Sequence, residues 1–323
     1  MKHVVVNTLA ALFVIAGMGI RPVLANDTAA VLGAGGLELT TSDDIMMVSE
    51  DLYLSPDEIR VRYTFRNESS RDITTTVAFP LPPVDQSAHS EIVFLPMEDQ
   101  ENFVGFRVWV DGQPIQPKLE QKATTDSDAD VTAELSRAGL PVNASLPGWK
   151  AKLHSLPNNL RQQLIKQGLL DVESGRANSP SAEFSPNWTL EATFHWDQTF
   201  PAGKTIVVEH RYKPIVGGVS SFDASQIGDY KDYCLDDQGK AGVRRLLQRG
   251  QVVPREVSYV LTTGANWKGP IGDFLLTIDK EKPNAVLSIC MSGLRKTGPT
   301  TFEIRQTNFT PTEDIRFVIF EGQ

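Results

Sequence analysis

A period-two alternation of apolar and polar side chains most constrains what this 323-residue chain can fold into. Over residues 59–66, Ile, Val, Tyr and Phe alternate with three Arg and one Thr, and related patterns recur over 106–111, 189–196 and 205–212. Successive side chains of a β-strand point to opposite faces, so each of these segments buries one face and leaves the other polar. Gly, Pro, Asn and Asp punctuate the gaps, which is typical of turns between antiparallel strands.

The order of these segments predicts a mainly β fold. We expect an antiparallel β-sandwich domain over 26–218, followed by a second β domain over 219–323. The stretch from about 119 to 187 has few β-branched apolar residues and carries short apolar stripes at helical spacing, so it is predicted to be a helical insertion in the first domain. A further short helix is expected at 240–249, where Gly250 would end it.

Residues 1–25 have the composition of a cleavable export signal. A basic start at Lys2 precedes a mostly apolar, uncharged run over 4–18, and small or modest residues over 23–25 stand just before Asn26. The segment is too short for a comfortable membrane span of about 20 apolar residues. We therefore expect a mature protein that is periplasmic or secreted and has no membrane span.

The charge balance of the mature chain is acidic. Removing the signal leaves 29 Lys and Arg against 40 Asp and Glu, a net charge of −11. Phosphate binding needs clustered Lys and Arg, so this composition argues against nucleic acid as a partner and against an electrostatic hold on anionic lipid.

The two cysteines, Cys234 and Cys290, most simply form a structural disulfide in an exported protein. The bridge would close a loop of 57 residues. Two unpaired buried thiols remain an alternative. A redox-active or metal-binding pair is the other alternative, although neither cysteine stands in a C-x-x-C spacing and no histidine flanks them.

Several segments of the mature chain form a characteristic set: Asn26-Asp27, Gly35-Gly36-Leu37, Ser49 to Ser55, Val61 to Asn67, Val77 to Pro82, Thr199 to Gly203, Tyr233-Cys234 and Thr263 to Gly272. Together they resemble a family of exported bacterial proteins known only as a domain of unknown function, number 4424. The resemblance covers nearly the whole mature chain. It implies an exported protein in which Cys234 and Cys290 belong to the family pattern, and it brings no known activity, substrate or catalytic residue.

Residues 45–218 are similar in architecture to the β-sandwich that opens inter-alpha-trypsin-inhibitor heavy chains and vault proteins. The likeness rests on the order of strands, on a strand that ends in Phe-Pro-Leu-Pro, and on Phe-Pro-Ala-Gly before a strand that ends in His-Arg-Tyr. There the sandwich is a scaffold and interaction domain. The long insertion departs from that pattern, as does the lack of an adjacent metal-binding A-type domain, so the likeness concerns the fold alone.

No histidine of the mature chain stands in a metal-ligand spacing. His195 falls on the polar face of its strand, where a solvated side chain is expected. His210 shares a face with Tyr212 and is expected to be buried beside an acceptor. The remaining two are His89 and His154.

An acidic loop gives the one metal-like spacing. Asp126, Asp128 and Asp130 mimic the first three ligands of a calcium loop, but Val131 stands where Gly is required and Arg137 where the bidentate Glu is required. A solvated loop that caps the following helix is the favoured interpretation. No P-loop, dinucleotide fingerprint or nucleophile elbow is present, so no catalytic residue, cofactor site or metal site is predicted.

The tryptophans are the best interaction candidates in the sequence. Trp109 lies opposite the core face of its strand, Trp149 and Trp188 flank the insertion, and Trp267 falls in a Gly/Pro-rich loop. Aromatic side chains on loops or outer faces tend to mark contact surfaces, so these four are predicted to form an interaction surface. Trp196 lies on an apolar face and is expected in the core.

These observations favour an exported, non-enzymatic β protein that binds another envelope protein or an extracellular ligand. The alternative is an envelope hydrolase that modifies polysaccharide or peptide, with a site that no sequence motif reveals. A calcium-dependent module that uses the loop at 126–130 is the third hypothesis.

Overall fold

The computed structural model describes residues 26–33, 36–87, 92–94, 96–97, 99, 102–175, 182–219 and 221–323. The export signal predicted at 1–25 lies outside the described residues, as does His89.

The described chain is mainly β, as the alternating pattern predicts. Its strands are β1 Thr28–Gly33, β2 Gly36–Thr40, β3 Ile45–Leu54, β4 Ile59–Asn67, β5 Ile73–Pro80, β6 Val84–Asp85, β7 Ile92–Phe94, β8 Arg107–Val110, β9 Gln113–Ile115, β10 Lys118–Thr124, β11 Leu170–Ser174, β12 Glu183–Pro186, β13 Thr189–Phe200, β14 Thr205–Tyr212, β15 Val216–Gly218, β16 Val252–Tyr259, β17 Ile271–Asp279, β18 Val286–Ile289, β19 Arg295–Lys296, β20 Thr301–Phe309 and β21 Ile315–Gly322.

The helices are short and stand in two parts of the chain. The α-helices are α1 Thr132–Ala138, α2 Trp149–Ser155, α3 Asn158–Lys166 and α4 Asp237–Leu247, and two 3₁₀ helices span Gln226–Tyr233 and Thr262–Asn266. Helix α4 is the helix predicted at 240–249. It begins earlier because the side chain of Asp236 accepts a hydrogen bond of 2.7 Å from the amide of Gly239, which caps its first turn.

Three larger sheets and one hairpin organise the strands. The first sheet runs β10-β13-β5-β1-β2, with β6 also paired to β13. The second sheet has eight strands in the order β19-β20-β17-β3-β4-β14-β8-β9. The third sheet runs β18-β21-β16-β15-β7, and β11 pairs with β12 in the hairpin.

A tight turn joins β8 and β9, the last two strands at one edge of the second sheet. Asp111 and Gly112 join these strands with φ values of 47° and 77°, the left-handed conformation that a two-residue hairpin turn requires. Strand β9 has three residues, includes Pro114 and lies at the sheet edge, as expected for a strand that contains proline.

All three sheets contribute to one buried core. The alternating apolar side chains predicted from the sequence point into it, because each strand turns one face inward. Fully or almost fully buried members include Phe79 and Phe194 of the first sheet, Phe65 and Leu276 of the second, and Phe317 of the third. Trp196 is also in this core, at 6% exposure, as predicted.

The predicted domain boundary between residues 218 and 219 runs through two sheets. Strand β17 pairs in parallel with β3, which adds the C-terminal strands β17, β20 and β19 to the edge of a sheet built from N-terminal strands. Strand β15 pairs with both β7 and β16, so the third sheet also combines the two halves. Alternation within a strand identifies the face that is buried but carries no information on which strands pair, so the sequence alone does not reveal this mixing.

The helical insertion has a small core of its own. Helices α1, α2 and α3 pack with the hairpin β11–β12 around buried Leu135, Leu153, Leu164, Trp149 and Trp188. The insertion starts after Thr124 rather than at 119, because the preceding residues pair with β13 as strand β10.

Cys234 and Cys290 form a disulfide. Cys234 follows the 3₁₀ helix 226–233, and Cys290 follows the edge strand β18, so the bridge ties a helical segment to the third sheet. A third apolar cluster, which includes Val243 and Phe320, lies between α4 and that sheet. Within the described residues, no helix is long and apolar enough to cross a membrane.

The disulfide is expected to stabilise the folded protein by constraining the unfolded chain. Replacing both cysteines by alanine should lower the free energy of unfolding by about 4 kcal/mol, the chain-entropy value for a loop of this size. Urea titration of the oxidised protein and of the double variant measures the difference. Equal midpoints with equal slopes would contradict the expectation.

Candidate functional site

Three arginines lie directly opposite one another on the outer face of the second sheet. Arg211 of β14 is the cross-strand partner of Arg60 in β4 and of Arg107 in β8. We call Arg60, Arg211 and Arg107 the arginine row. Their neighbours along each strand point into the core, so the alternation that buries Ile59 and Val108 is what turns the arginines outward.

The arginine row works against sheet stability. Directly opposite residues on antiparallel strands have Cβ atoms about 5 Å apart, and like charges at that distance repel. Arg107 and Arg211 are exposed and Arg60 is half-buried. A row of this kind on a chain with more acidic than basic residues concentrates positive charge in one place.

The members of the row differ in how far neighbours neutralise them. Arg60 forms an ion pair of 3.2 Å with Glu58, and its guanidinium lies 4.1 Å from the ring centre of Tyr53. The guanidinium of Arg107 lies 5.9 Å from the ring centre of Trp109. Arg211 makes no ion pair with any other described residue.

Arg255 shows what a neutralised arginine looks like in the same protein. Its guanidinium contacts carboxylate oxygens of Asp57 at 2.6 Å, Glu281 at 3.4 Å and Glu321 at 3.3 Å. Those contacts complete its charge balance, so Arg255 has a structural role that Arg211 lacks.

Open space lies on both sides of Arg211. Three cations and two carboxylates line each of two surface hollows beside it. The hollow of about 330 Å³ has Arg60, Arg62 and Arg211 with Asp51 and Glu209, and the hollow of about 550 Å³ has Arg107, Arg211 and Lys213 with Asp57 and Glu58. A planar guanidinium donates paired hydrogen bonds to a carboxylate or phosphate, so the row is suited to binding an anionic group.

A second polar cluster lies inside the core, and we call Asn26, Asp27, Glu50 and His210 the buried polar cluster. All four are at most 1% exposed. The Nδ2 of Asn26 donates to Glu50 at 3.0 Å, and the Nε2 of His210 lies 3.5 Å from a carboxylate oxygen of Asp27.

Burial keeps the titratable groups of this cluster in their neutral forms. It raises the pKa of Glu50 to about 8 and lowers the pKa of His210 to about 3. Burial first, and then the charge of Glu50, raise the pKa of Asp27 well above its usual value. Neither oxygen of Asp27 has a hydrogen-bond partner among the described residues. Such raised pKa values often mark catalytic groups, but these carboxylates are sealed from solvent and from any dissolved substrate.

The structure corrects the predicted tryptophan surface. Trp149, Trp188 and Trp267 are only 2%, 3% and 3% exposed. Their indole N–H groups donate to backbone oxygens of Pro141, Val142 and Asp27, so the polar end of each ring is satisfied inside the protein. Gly and Pro around a tryptophan indicate a loop but do not show whether that loop folds back onto the core.

Trp109 alone of the four keeps an accessible position. It is half-buried on the outer face of β8, directly opposite Glu209 and two residues along the strand from Arg107 of the arginine row. Its role in an interaction stays a prediction.

The acidic loop at 126–130 leads into helix α1, whose N-cap residue is Val131. The carboxylate of Asp130 accepts a hydrogen bond of 2.9 Å from the amide of Thr132, the first residue of α1. Among the described residues, no group of three or more His, Cys, Asp or Glu is placed to hold a metal ion.

The sequence pattern contained the arginine row without revealing it. The polar face of residues 59–66 carries three arginines, and Arg107 and Arg211 stand on the polar faces of two other strands. An excess of arginine on several polar strand faces was the available signal. Its meaning depends on register, because only the pairing of β4, β14 and β8 brings the side chains together.

Comparisons with known proteins place the chain in a family. The family model described as "Domain of unknown function (DUF4424)" matches residues 25–318, which confirms the resemblance expected from the sequence. Among solved structures, the chain is similar to a "putative nutrient binding protein" from Legionella pneumophila, with 16% identity, a TM-score of 0.45, and coverage of 88% of this chain and 69% of that chain. No curated protein matches this chain.

Replacing the central arginine of the row should stabilise the sheet. Arg211→Thr removes two like-charge cross-strand contacts and places a β-branched residue in a strand, so the free energy of unfolding should rise by about 0.5 kcal/mol. Urea titrations in 20 mM and 500 mM salt measure the gain, which should shrink at high salt because salt screens exposed charges.

Arg66→Thr is the matched control, because Arg66 lies on the same face of the sheet but opposite Thr205 rather than another arginine. An equal gain in both variants would show that the row carries no special repulsion.

Proposed function

This chain belongs to the DUF4424 family, and we propose that it is an exported protein that binds an acidic segment of an envelope partner rather than catalysing a reaction. The arginine row is the observation that carries this proposal. Three arginines opposed on adjacent strands destabilise a free sheet, and an anionic ligand turns that cost into binding free energy.

The neighbours of the row favour a peptide segment as the ligand. Trp109 and Tyr53 offer apolar surface at the two ends of the row, and an acidic peptide presents carboxylates at intervals that paired guanidinium groups recognise. Arg211 holds the central position, with space on both sides and no ion pair to a described residue.

Export is supported by observations of a different kind. The composition of residues 1–25 is that of a signal segment, and the family match begins at residue 25. A disulfide is stable in an oxidising compartment, which fits a periplasmic or secreted location.

Binding is preferred to hydrolysis because of where the two most strongly perturbed carboxylates lie. Asp27 and Glu50 have raised pKa values, but at 0% and 1% exposure they do not reach a substrate. The arginine row is an accessible set of cations on a sheet face, which suits recognition of a partner.

A defined acidic probe tests the proposal. Fluorescence anisotropy of a labelled octaglutamate peptide should show saturable binding to the oxidised protein, with affinity that falls as salt rises. The variant Arg60→Ser/Arg107→Ser/Arg211→Ser should bind at least about tenfold more weakly, because charge-assisted hydrogen bonds contribute about 1.5–3 kcal/mol each.

A matched control removes the same charge elsewhere. Lys150, Lys152 and Lys166 are exposed on helices of the insertion, and replacing all three by Ser should leave the affinity within about twofold. Equal weakening in the two triple variants would mean that net charge, rather than the arginine row, governs binding, and absence of binding by the unaltered protein would overturn the proposal.

A further inference from the structure

The first residues after the predicted signal are buried in the centre of the protein. Asn26, Asp27 and Thr28 are each 0% exposed. Chain termini are usually poorly ordered unless specific contacts hold them. Here the start of the mature chain is fixed by the 3₁₀ helix 262–266 and by Trp267.

The contacts to this start are specific. The backbone N–H of Asn26 donates to the hydroxyl of Thr263, and that hydroxyl donates back to the Asn26 carbonyl at 2.7 Å. The indole of Trp267 donates to the carbonyl of Asp27 at 2.5 Å. A Cβ added at Gly264 would lie 2.6 Å from Nδ2 of Asn26, so this glycine permits the close approach.

The same place holds two carboxyl groups that pair with no Lys or Arg among the described residues. Both oxygens of Asp27 and the Oε1 of Glu50 are buried without a hydrogen-bond partner among the described residues. The basic group close to them is the imidazole of His210, which burial keeps neutral. An unpaired buried carboxylate costs several kcal/mol, so in the uncleaved chain these groups stay protonated or destabilise the fold.

We propose that cleavage after Ala25 creates the missing cation, and that the new α-ammonium group of Asn26 is the buried counter-ion of Asp27 and Glu50. Before cleavage the nitrogen of Asn26 is a neutral amide with one hydrogen. Hydrolysis of the Ala25–Asn26 peptide bond by a signal peptidase consumes one water and leaves an Ala25 carboxylate and an Asn26 amine. The amine takes up a proton near neutral pH and then has three hydrogens to donate.

The geometry places that group inside the buried polar cluster. Its nitrogen is already held at Thr263, the side chain of the same residue contacts Glu50, and the next residue is Asp27. Removal of the signal therefore adds one positive charge, which pairs with one ionised carboxylate of Asp27 and Glu50 while the other stays protonated, and so acts as a folding switch. The inference rests on the proposed cleavage of the signal peptide and is independent of the arginine row.

The test compares two chains that differ at this nitrogen. A removable N-terminal fusion gives one protein that begins at Asn26 and another that begins at Val23. The ammonium of the second protein lies three residues before Asn26, or up to about 10 Å away. At pH 7 the chain that begins at Asn26 should have the higher Tm, by about 5 °C or more. An equal or higher Tm for the extended chain would overturn the proposal.

The pH profile separates charge pairing from a steric effect of the extra residues. In the extended chain, Glu50 has a folded pKa of about 8 against an unfolded value of 4.5. The free energy of unfolding of that chain therefore falls as pH rises from about 4.5 to about 8. In the Asn26 chain the ammonium favours the ionised carboxylate and offsets this fall. The difference in Tm should therefore grow from pH 5 to pH 7.5, whereas a difference that is constant with pH would contradict charge pairing.

The titratable groups that face the site are Asp27, Glu50 of β3, Tyr63 of β4, His210 and Tyr212 of β14, and Tyr259 of β16.

A mutant cycle completes the experiment. Asp27→Asn/Glu50→Gln preserves the shape of the neutral carboxyl groups, so it should fold and should remove most of the Tm difference between the two starts. Asp51→Asn is the control, because Asp51 is the next residue but is exposed on the other face of β3 and should leave the difference unchanged. A full difference that persists in the double variant would overturn the proposal.

A chemical readout remains available if the double variant does not fold. The α-amine of the Asn26 chain should react with an amine-selective label at least about tenfold more slowly in the folded protein than in urea, since a paired and buried ammonium is rarely deprotonated. Equal rates in the two states would show that the amine is exposed, which would overturn the proposal.

Discussion

The pairing of β3 with β17 is the constraint on which the rest of the structure depends. It joins the C-terminal strands β17, β20 and β19 to a sheet built from N-terminal strands, so both halves of the chain bury their apolar faces in one core. The 3₁₀ helix 262–266 precedes β17 directly and therefore lies against the start of β1. Without that pairing, Thr263 and Trp267 would not cover Asn26, and the second sheet would have fewer strands.

The two faces of the second sheet affect stability in opposite directions. Its inner face contributes Phe65 and Leu276 to the core, where burial of apolar surface is the main stabilising term. Its outer face carries the arginine row, where like charges oppose one another at a small cost in stability. The stabilisation from apolar burial on the inner face is larger than the repulsion between arginines on the outer face. A sheet of this kind can therefore carry opposed arginines without losing its fold.

Burial gives the polar groups of the core their unusual character. Glu50 and His210 have pKa values shifted in opposite directions by one cause, removal from water, and both shifts favour the neutral form. Uncharged groups need no counter-ion, which lets them pack among aromatic rings such as Phe79 and Phe106 beside His210. A cation added at Asn26 changes that balance, because a charge in a poorly polarisable interior favours an opposite charge beside it.

Strand positions, the buried face of each strand, the short helix before Gly250 and the pairing of two cysteines all follow from local pattern. A period of two, a glycine after an apolar helical stripe and the redox chemistry expected of an exported chain act over a few residues or on composition. The sequence predicted neither the mixed sheets nor the burial of Trp149, Trp188 and Trp267, since pairing partners and loop packing depend on residues far apart in the chain. Tertiary structure alone decided that three arginines from separate strands stand in one row and that Asn26 meets Glu50, because both depend on long-range register that no local pattern encodes.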